Sequence, residues 1–179
     1  MSVTIAMLGS PHTGKTALLH TYLFNIFPSF YTSTNGDVLL ALGPPRQTYF
    51  DLPGSLTTSD RLSLHLAGAS VFIICFSLMD RQTLEAVERH WCPLAQHYNT
   101  NAKLLLVGCM KDLRPRLVEL GGAVVPAEEG RLLAGKLGAK YWECSAMTEE
   151  GVKAVFTLAV ELGLGRQLME GETVGGWDE

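Results

Sequence analysis

The octapeptide Gly9-Ser10-Pro11-His12-Thr13-Gly14-Lys15-Thr16 fits the pattern G-x-x-x-x-G-K-[ST]. Its chemistry is that of a phosphate cradle. Backbone N–H groups of such a loop point inward, the lysine reaches toward β- and γ-phosphates, and the Thr16 hydroxyl is a hard ligand for Mg²⁺. The pattern carries this meaning when a strand precedes it and a helix N-terminus follows. Both are expected, with the apolar run "VTIAML" before the loop and "TALLHTYLFNIF" directly after it. Pro11 is an unusual filling, because proline has no N–H to offer a phosphate oxygen.

A second constellation lies in "YFDLPGS", Tyr49 to Ser55. An extended apolar run delivers Asp51 to its end, and Pro and Gly then break the chain. A carboxylate at a strand's C-terminal end, one hairpin after a phosphate loop, is placed to hold Mg²⁺ through water. Gly54 could approach a terminal phosphate through its N–H with no side chain in the way.

The elements that must carry these residues are strands alternating with helices. "VTIAML", "DVLLAL", "QTYF", "VFIICFS", "KLLLVG" and "KYWE" read as strands. Three are almost continuously apolar, the mark of strands buried on both faces of a parallel sheet. "ALGPPRQ" reads as a hairpin turn between the second and third. The expected fold is α/β, a mixed six-stranded sheet, mostly parallel with one antiparallel edge strand, and helices on both faces. Leu84, Val87, Trp91, Leu94 and Tyr98 form one apolar helix face, which Pro93 should bend. Val152, Val155, Phe156, Ala159 and Leu162 form another. Residues 1–162 read as one domain, and residues 163–179, Gly-rich and acidic, as a flexible tail.

Composition narrows the classes. A chain of 179 residues, 47% hydrophobic and 18% charged, can bury a full core. A formal charge of −4 gives no excess of cations with which to coat a nucleic acid. Cys75, Cys92, Cys109 and Cys144 form no C-x-x-C pair, and read as reduced intracellular thiols. His90 and His97 share a helix with Cys92 but lack a third ligand at matching spacing, so surface positions are expected. Arg114 and Arg116 read as solvated, Trp91 and Trp142 as core, and Trp177 lies in the tail.

With the two phosphate-site motifs in place, the chain resembles a P-loop NTPase of the small GTPase class, and more narrowly the Rho family. The resemblance rests on "FIICFSLMDRQTLEAVERHWCPL", "LLLVGCMKDLR", "KYWECSAMT" and "FNIFPSFYTST", in the expected order across most of residues 3 to 162. It implies a G-domain fold, GTP/GDP and Mg²⁺ as ligands, and Rho-type effectors and regulators as partners. It assigns nucleotide contacts to Pro11, His12, Thr13, Gly14, Lys15, Thr16, Ala17, Phe27, Thr34, Gly54, Asp112, Ser145 and Ala146. Within that set, Phe27 would meet the guanine edge-on, Asp112 would accept from its ring N–H and amino group, and Ser145 and Ala146 would close the pocket. Metal contacts fall to Thr16, Thr34 and Asp51, with Thr32 and Ser33 competing for the role of Thr34.

Departures from the family pattern shape the expected activity. The guanine motif reads Cys109-Met110-Lys111-Asp112, so an Asn or Thr and a Lys are replaced. The segment from Thr34 to Asp51 is shortened, as is the Rho-type insert, represented by "RPRLVELGGAVV". Ser55 stands where the family has the glutamine that orients the attacking water, and its short side chain reaches less far. With Pro11 in the loop, GTP hydrolysis is expected to be slow or absent, and no catalytic residue is assigned. The alternative is a scaffold or competitor for regulators with little turnover. The chain ends "GGWDE" without a prenylatable cysteine, so no stable membrane anchor is expected and a cytoplasmic monomer is.

Overall fold

Along the first strand, β1 (Ser2–Leu8), Val3, Ile5 and Met7 join one buried cluster while Ala6 and Leu8 join another. The same division recurs in β4 (Val71–Ser77) and β5 (Lys103–Cys109). This is why these runs are apolar throughout: the two-residue period of a strand feeds two cores, one on each face. The computed structural model describes residues 2–28, 37–41, 45–54 and 60–165.

The remaining strands are β2 (Asp37–Ala41), β3 (Arg46–Asp51) and β6 (Lys140–Glu143). The sheet order is β2-β3-β1-β4-β5-β6. β3, β1, β4, β5 and β6 run parallel, and β2 pairs antiparallel with β3 at the outer edge. β1 lies between strands reached by connections in opposite directions, so its C-terminal end opens at the crevice where α/β sheets bind ligands.

Helices cover both faces. α1 (Lys15–Phe24) and α7 (Val152–Gly163) bury Leu18, Leu19, Val155, Phe156 and Ala159 against one face. The other face is covered by α2 (Asp60–Ala67), α3 (Arg81–Ala86), α4 (Cys92–Tyr98) and α6 (Ala127–Leu137). A further short helix, α5 (Arg114–Glu119), follows β5. Among the described residues, no helix is long and apolar enough to cross a membrane.

Where a bend at Pro93 was expected, the chain resolves the proline differently. A π-turn, Val87–Trp91, joins α3 to α4 and sets Pro93 in the first turn of α4. A π-turn spaces its hydrogen bonds one residue wider, and the first turn of a helix needs no N–H from proline. The apolar face survives, with Leu84, Val87, Trp91, Cys92 and Ala95 buried and Leu94 and Tyr98 packed at the margin. Trp142 is likewise only partly buried, against the cluster beneath α1 and α7.

Candidate functional site

The loop that leaves β1 passes so close to β4 that a Cβ on Gly9, at φ +141°, would lie 2.3 Å from the Cys75 carbonyl oxygen. Glycine is therefore required for this approach. The loop then enters α1 through Gly14, and the first turn of α1 contains no acidic residue. Its positive dipole end is open to an anion. Thr13 is fully buried and its hydroxyl donates to the Ser10 carbonyl at 2.9 Å. His12 holds φ 61° at the exposed lip beside Pro11.

Lys15 bends back across its own loop and donates from Nζ to the carbonyls of Gly9, at 2.8 Å, and Ser10, at 2.9 Å. Burial lowers its pKa, and neighbouring Cys75, Asp51 and Cys109 partly restore it. A phosphate would supply the opposite charge that favours the ammonium form. Beneath the lysine sit buried, free thiols. Cys75 is raised well above its ordinary pKa first by a hydrogen bond with Cys109 and then by burial, and Cys109 first by its hydrogen bond with Cys144. Neutral and enclosed, they act as packing rather than as nucleophiles.

β3 brings Asp51 to the loop, buried to 1% exposure. The Thr16 hydroxyl donates to Asp51 Oδ2 at 2.6 Å. A hydroxyl and a carboxylate side by side are the hard oxygens that Mg²⁺ takes, and Mg²⁺ uses few protein ligands because phosphates and water complete its shell. These residues fit that ion. Among the described residues, no group of three His, Cys, Asp or Glu could hold a metal. Gly54 then folds over the loop. A Cβ there would lie 2.4 Å from Pro11 N and 2.7 Å from Pro11 Cα.

A second pair of loops rises from β5 and β6. Met110 adopts φ 67° and starts a short 3₁₀ turn, Lys111–Leu113, that presents Asp112. The Ser77 hydroxyl donates to the Met110 sulfur at 3.7 Å, and the Met110 methyl lies 3.7 Å from where a Cβ on Gly14 would be. The Lys111 N–H donates to the Cys144 carbonyl at 3.1 Å, joining the two loops. Ser145 is fully buried and its Oγ accepts from the Thr148 N–H at 3.1 Å. The Ala146 carbonyl accepts from the Thr21 hydroxyl at 3.3 Å, which ties this loop to α1.

The structure thus sets Pro11 to Ala17, Asp51, Gly54, Asp112, Ser145 and Ala146 along one edge, at the C-terminal ends of parallel strands. Phe27 follows α1 and is 39% exposed. Thr34, Ser55 and Trp177 lie outside the described residues. His90, in the π-turn, and His97, in α4, are both exposed.

Two features escaped the sequence reading. Trp91, expected only as core, donates from its indole N–H to Ser10 Oγ at 3.1 Å, so the π-turn reaches the phosphate loop. Arg114, expected to be solvated, instead forms a two-pronged pair with Glu143, at 2.7 Å for each contact. Its helix position, two residues after Asp112, was the available signal.

A glycine-containing loop at a helix N-terminus, a hydroxyl–carboxylate pair beside it and two loops at the ends of β5 and β6 are the parts that a small GTPase-type nucleotide-binding protein needs. The sequence profile of the Ras family matches residues 55–163, more than half of the 179-residue chain. The chain belongs to the Ras family. Members of that family in general bind GTP and GDP with Mg²⁺.

Proposed function

We propose that this chain is a Rho-like guanine-nucleotide switch that binds GTP and GDP with Mg²⁺ and turns GTP over slowly. One observation carries the reading: Thr16 and Asp51 meet at 2.6 Å directly beside Lys15 and its loop. N–H groups of the loop and the Lys15 ammonium would hold the β- and γ-phosphates. Thr16 and Asp51 would hold Mg²⁺, which supplies charge neutralisation at the phosphates when bound. Asp112 would accept from the guanine ring N–H and amino group, a contact that a base lacking those donors leaves unmet. Ser145 and Ala146 would close the pocket, Phe27 would meet the guanine edge-on, Thr34 would reach Mg²⁺, and Gly54 would report the terminal phosphate.

Slow turnover follows from Ser55, whose side chain is too short to orient a water as a glutamine would, and from Pro11 at the loop's lip. The Rho-type placement rests on the resemblance of the segments around β4, α3, β5 and β6, and with it come Rho-type effectors and regulators as partners, in the cytoplasm. The contact of Gly54 with Pro11 favours a second reading. A switch segment that rests on the loop suits a scaffold or competitor with little turnover.

A single-turnover GTP assay on the purified chain separates these readings. Slow but measurable phosphate release supports the switch, none supports the scaffold, and fast release overturns the reading of Ser55. Binding of GTP-loaded protein to Rho-type effector domains but not to others supports the Rho placement, and the reverse preference overturns it.

A further inference from the structure

Asp112 and Ser145 belong to different loops, and besides the more exposed Lys111–Glu150 ion pair a better-buried side-chain bridge spans the elements behind them. Arg114 opens α5 two residues after Asp112, and Glu143 closes β6 two residues before Ser145. The guanidinium donates from Nη1 to Glu143 Oε2 and from Nη2 to Oε1, each at 2.7 Å, and Nη2 also donates to the Val125 carbonyl at 3.1 Å. The Tyr141 hydroxyl donates to Glu143 Oε1 at 2.7 Å. The two charged side chains are only 22% and 12% exposed. Such a parallel fork fixes direction as well as distance, unlike a solvated surface pair.

The bridge is built in from below. A Cβ on Gly130 of α6 would lie 2.4 Å from the Tyr141 hydroxyl oxygen, so glycine at that position makes room for the hydroxyl that orients Glu143. The line Gly130, Tyr141, Glu143, Arg114 therefore runs from α6 to the base of the turn that holds Asp112. This arrangement matters more here than a lysine-bearing guanine motif would require. Met110 engages its surroundings through an apolar stem and a weak sulfur acceptor. The Lys111 N–H on the Cys144 carbonyl and the half-exposed Lys111–Glu150 ion pair tie the loops at their tips, and the Arg114 fork adds a better-buried tie behind them.

We infer that Arg114, Glu143 and Tyr141 are positioning residues for guanine specificity, holding Asp112 in register with Ser145. The inference rests on the guanine-nucleotide reading above. Its consequence is selective. Loss of the bridge lets Asp112 drift from the amino group it reads, while phosphate and ribose contacts stay intact. GDP should therefore suffer more than IDP, whose base lacks that amino group.

The test compares GDP and IDP dissociation constants for the full chain and for Arg114→Gln, Glu143→Gln and Tyr141→Phe, by competition against a fluorescent GDP. The wild type should prefer GDP. In Arg114→Gln and Glu143→Gln the GDP-to-IDP preference should fall by about fivefold or more, the lower edge of ordinary coupling between sites. Tyr141→Phe, which keeps its ring packing and the arginine fork, should show a smaller fall in the same direction, and Arg114→Lys an intermediate one. Equal losses for both nucleotides, whatever the change in melting temperature, would mean a merely structural bridge and overturn the inference. Should the glutamine variants fail to fold, an undiminished preference in Tyr141→Phe and Arg114→Lys overturns it as well. A wild-type chain that binds nucleotide without preferring GDP would instead overturn the guanine reading itself, and this inference with it.

Discussion

Thr16 and Asp51, 35 residues apart, meet at 2.6 Å where α1 begins and β3 ends. The two oxygens come from elements whose placement depends on β1 pairing with β3 in register, Met7 opposite Asp51. The shared hydrogen bond holds both oxygens in place, so on the proposed function neither side chain would need ordering when Mg²⁺ arrives.

The first expected outcome follows from that pair. Asp51→Asn and Thr16→Ala should each speed GDP release by about tenfold or more, the low end of what even an outer-shell metal partner contributes. They should also make release insensitive to EDTA, which accelerates it in the wild type. Fluorescent-GDP dissociation with and without chelator measures both effects. Wild-type release that ignores EDTA would remove Mg²⁺ from the account.

Gly54 supplies a second outcome. The atoms a Cβ would meet first are Pro11 N at 2.4 Å and Pro11 Cα at 2.7 Å, both backbone. Gly54→Ala should therefore cost about 1 kcal/mol or more through overpacking. Adding Pro11→Gly should not relieve it, since the obstructing atoms remain. Urea unfolding of the two single variants and the double variant tests this. Full relief by Pro11→Gly would show that the turn meets the proline ring instead.

The indole of Trp91 gives a third. Trp91→Phe removes the N–H that serves Ser10 Oγ and should cost about 1 kcal/mol for the lost hydrogen bond, besides any loss of packing. Ser10→Ala in the Trp91→Phe background should cost less than Ser10→Ala in the wild type, because the pair is then removed together. A double-mutant cycle by thermal melting reads the coupling, and strict additivity would contradict it.

The strands and the phosphate loop were legible in the sequence because their signals are local. The cores of β1, β4 and β5 were visible in runs such as "VFIICFS", since apolar residues that serve two faces leave no polar alternation. Gly14, Lys15 and Thr16 are contiguous, so spacing alone exposed them. Arg114 was misjudged because its partner Glu143 lies 29 residues away, on a strand whose position depends on the whole sheet. The Trp91–Ser10 contact spans 81 residues and depends on the π-turn, for which apolar periodicity gives no sign. Pro93 announced a disturbance in that helix but not its form.

Acid provides a fourth outcome. Burial alone would raise the Glu143 carboxyl, but the Arg114 guanidinium and the Tyr141 hydroxyl outweigh it, with Lys111 contributing, and hold the group below its ordinary value. A carboxylate depressed in the folded state contributes stability that is present above the unfolded pKa and is lost as pH falls through the folded one. Between about pH 6 and pH 3, the wild type should lose stability more steeply than Glu143→Gln. Urea midpoints across that range give the comparison, and parallel curves would mean that the bridge does not depress the carboxyl.

The central claim is that the edge formed by Lys15, Thr16, Asp51, Asp112 and Ser145 holds a guanine nucleotide. Denaturing the purified chain and chromatographing what it releases tests this most directly. The account predicts GDP or GTP at near one equivalent, or its uptake when added to stripped protein with Mg²⁺. Release or uptake of adenine nucleotide alone, or an empty chain that takes up neither GTP nor GDP, would contradict it.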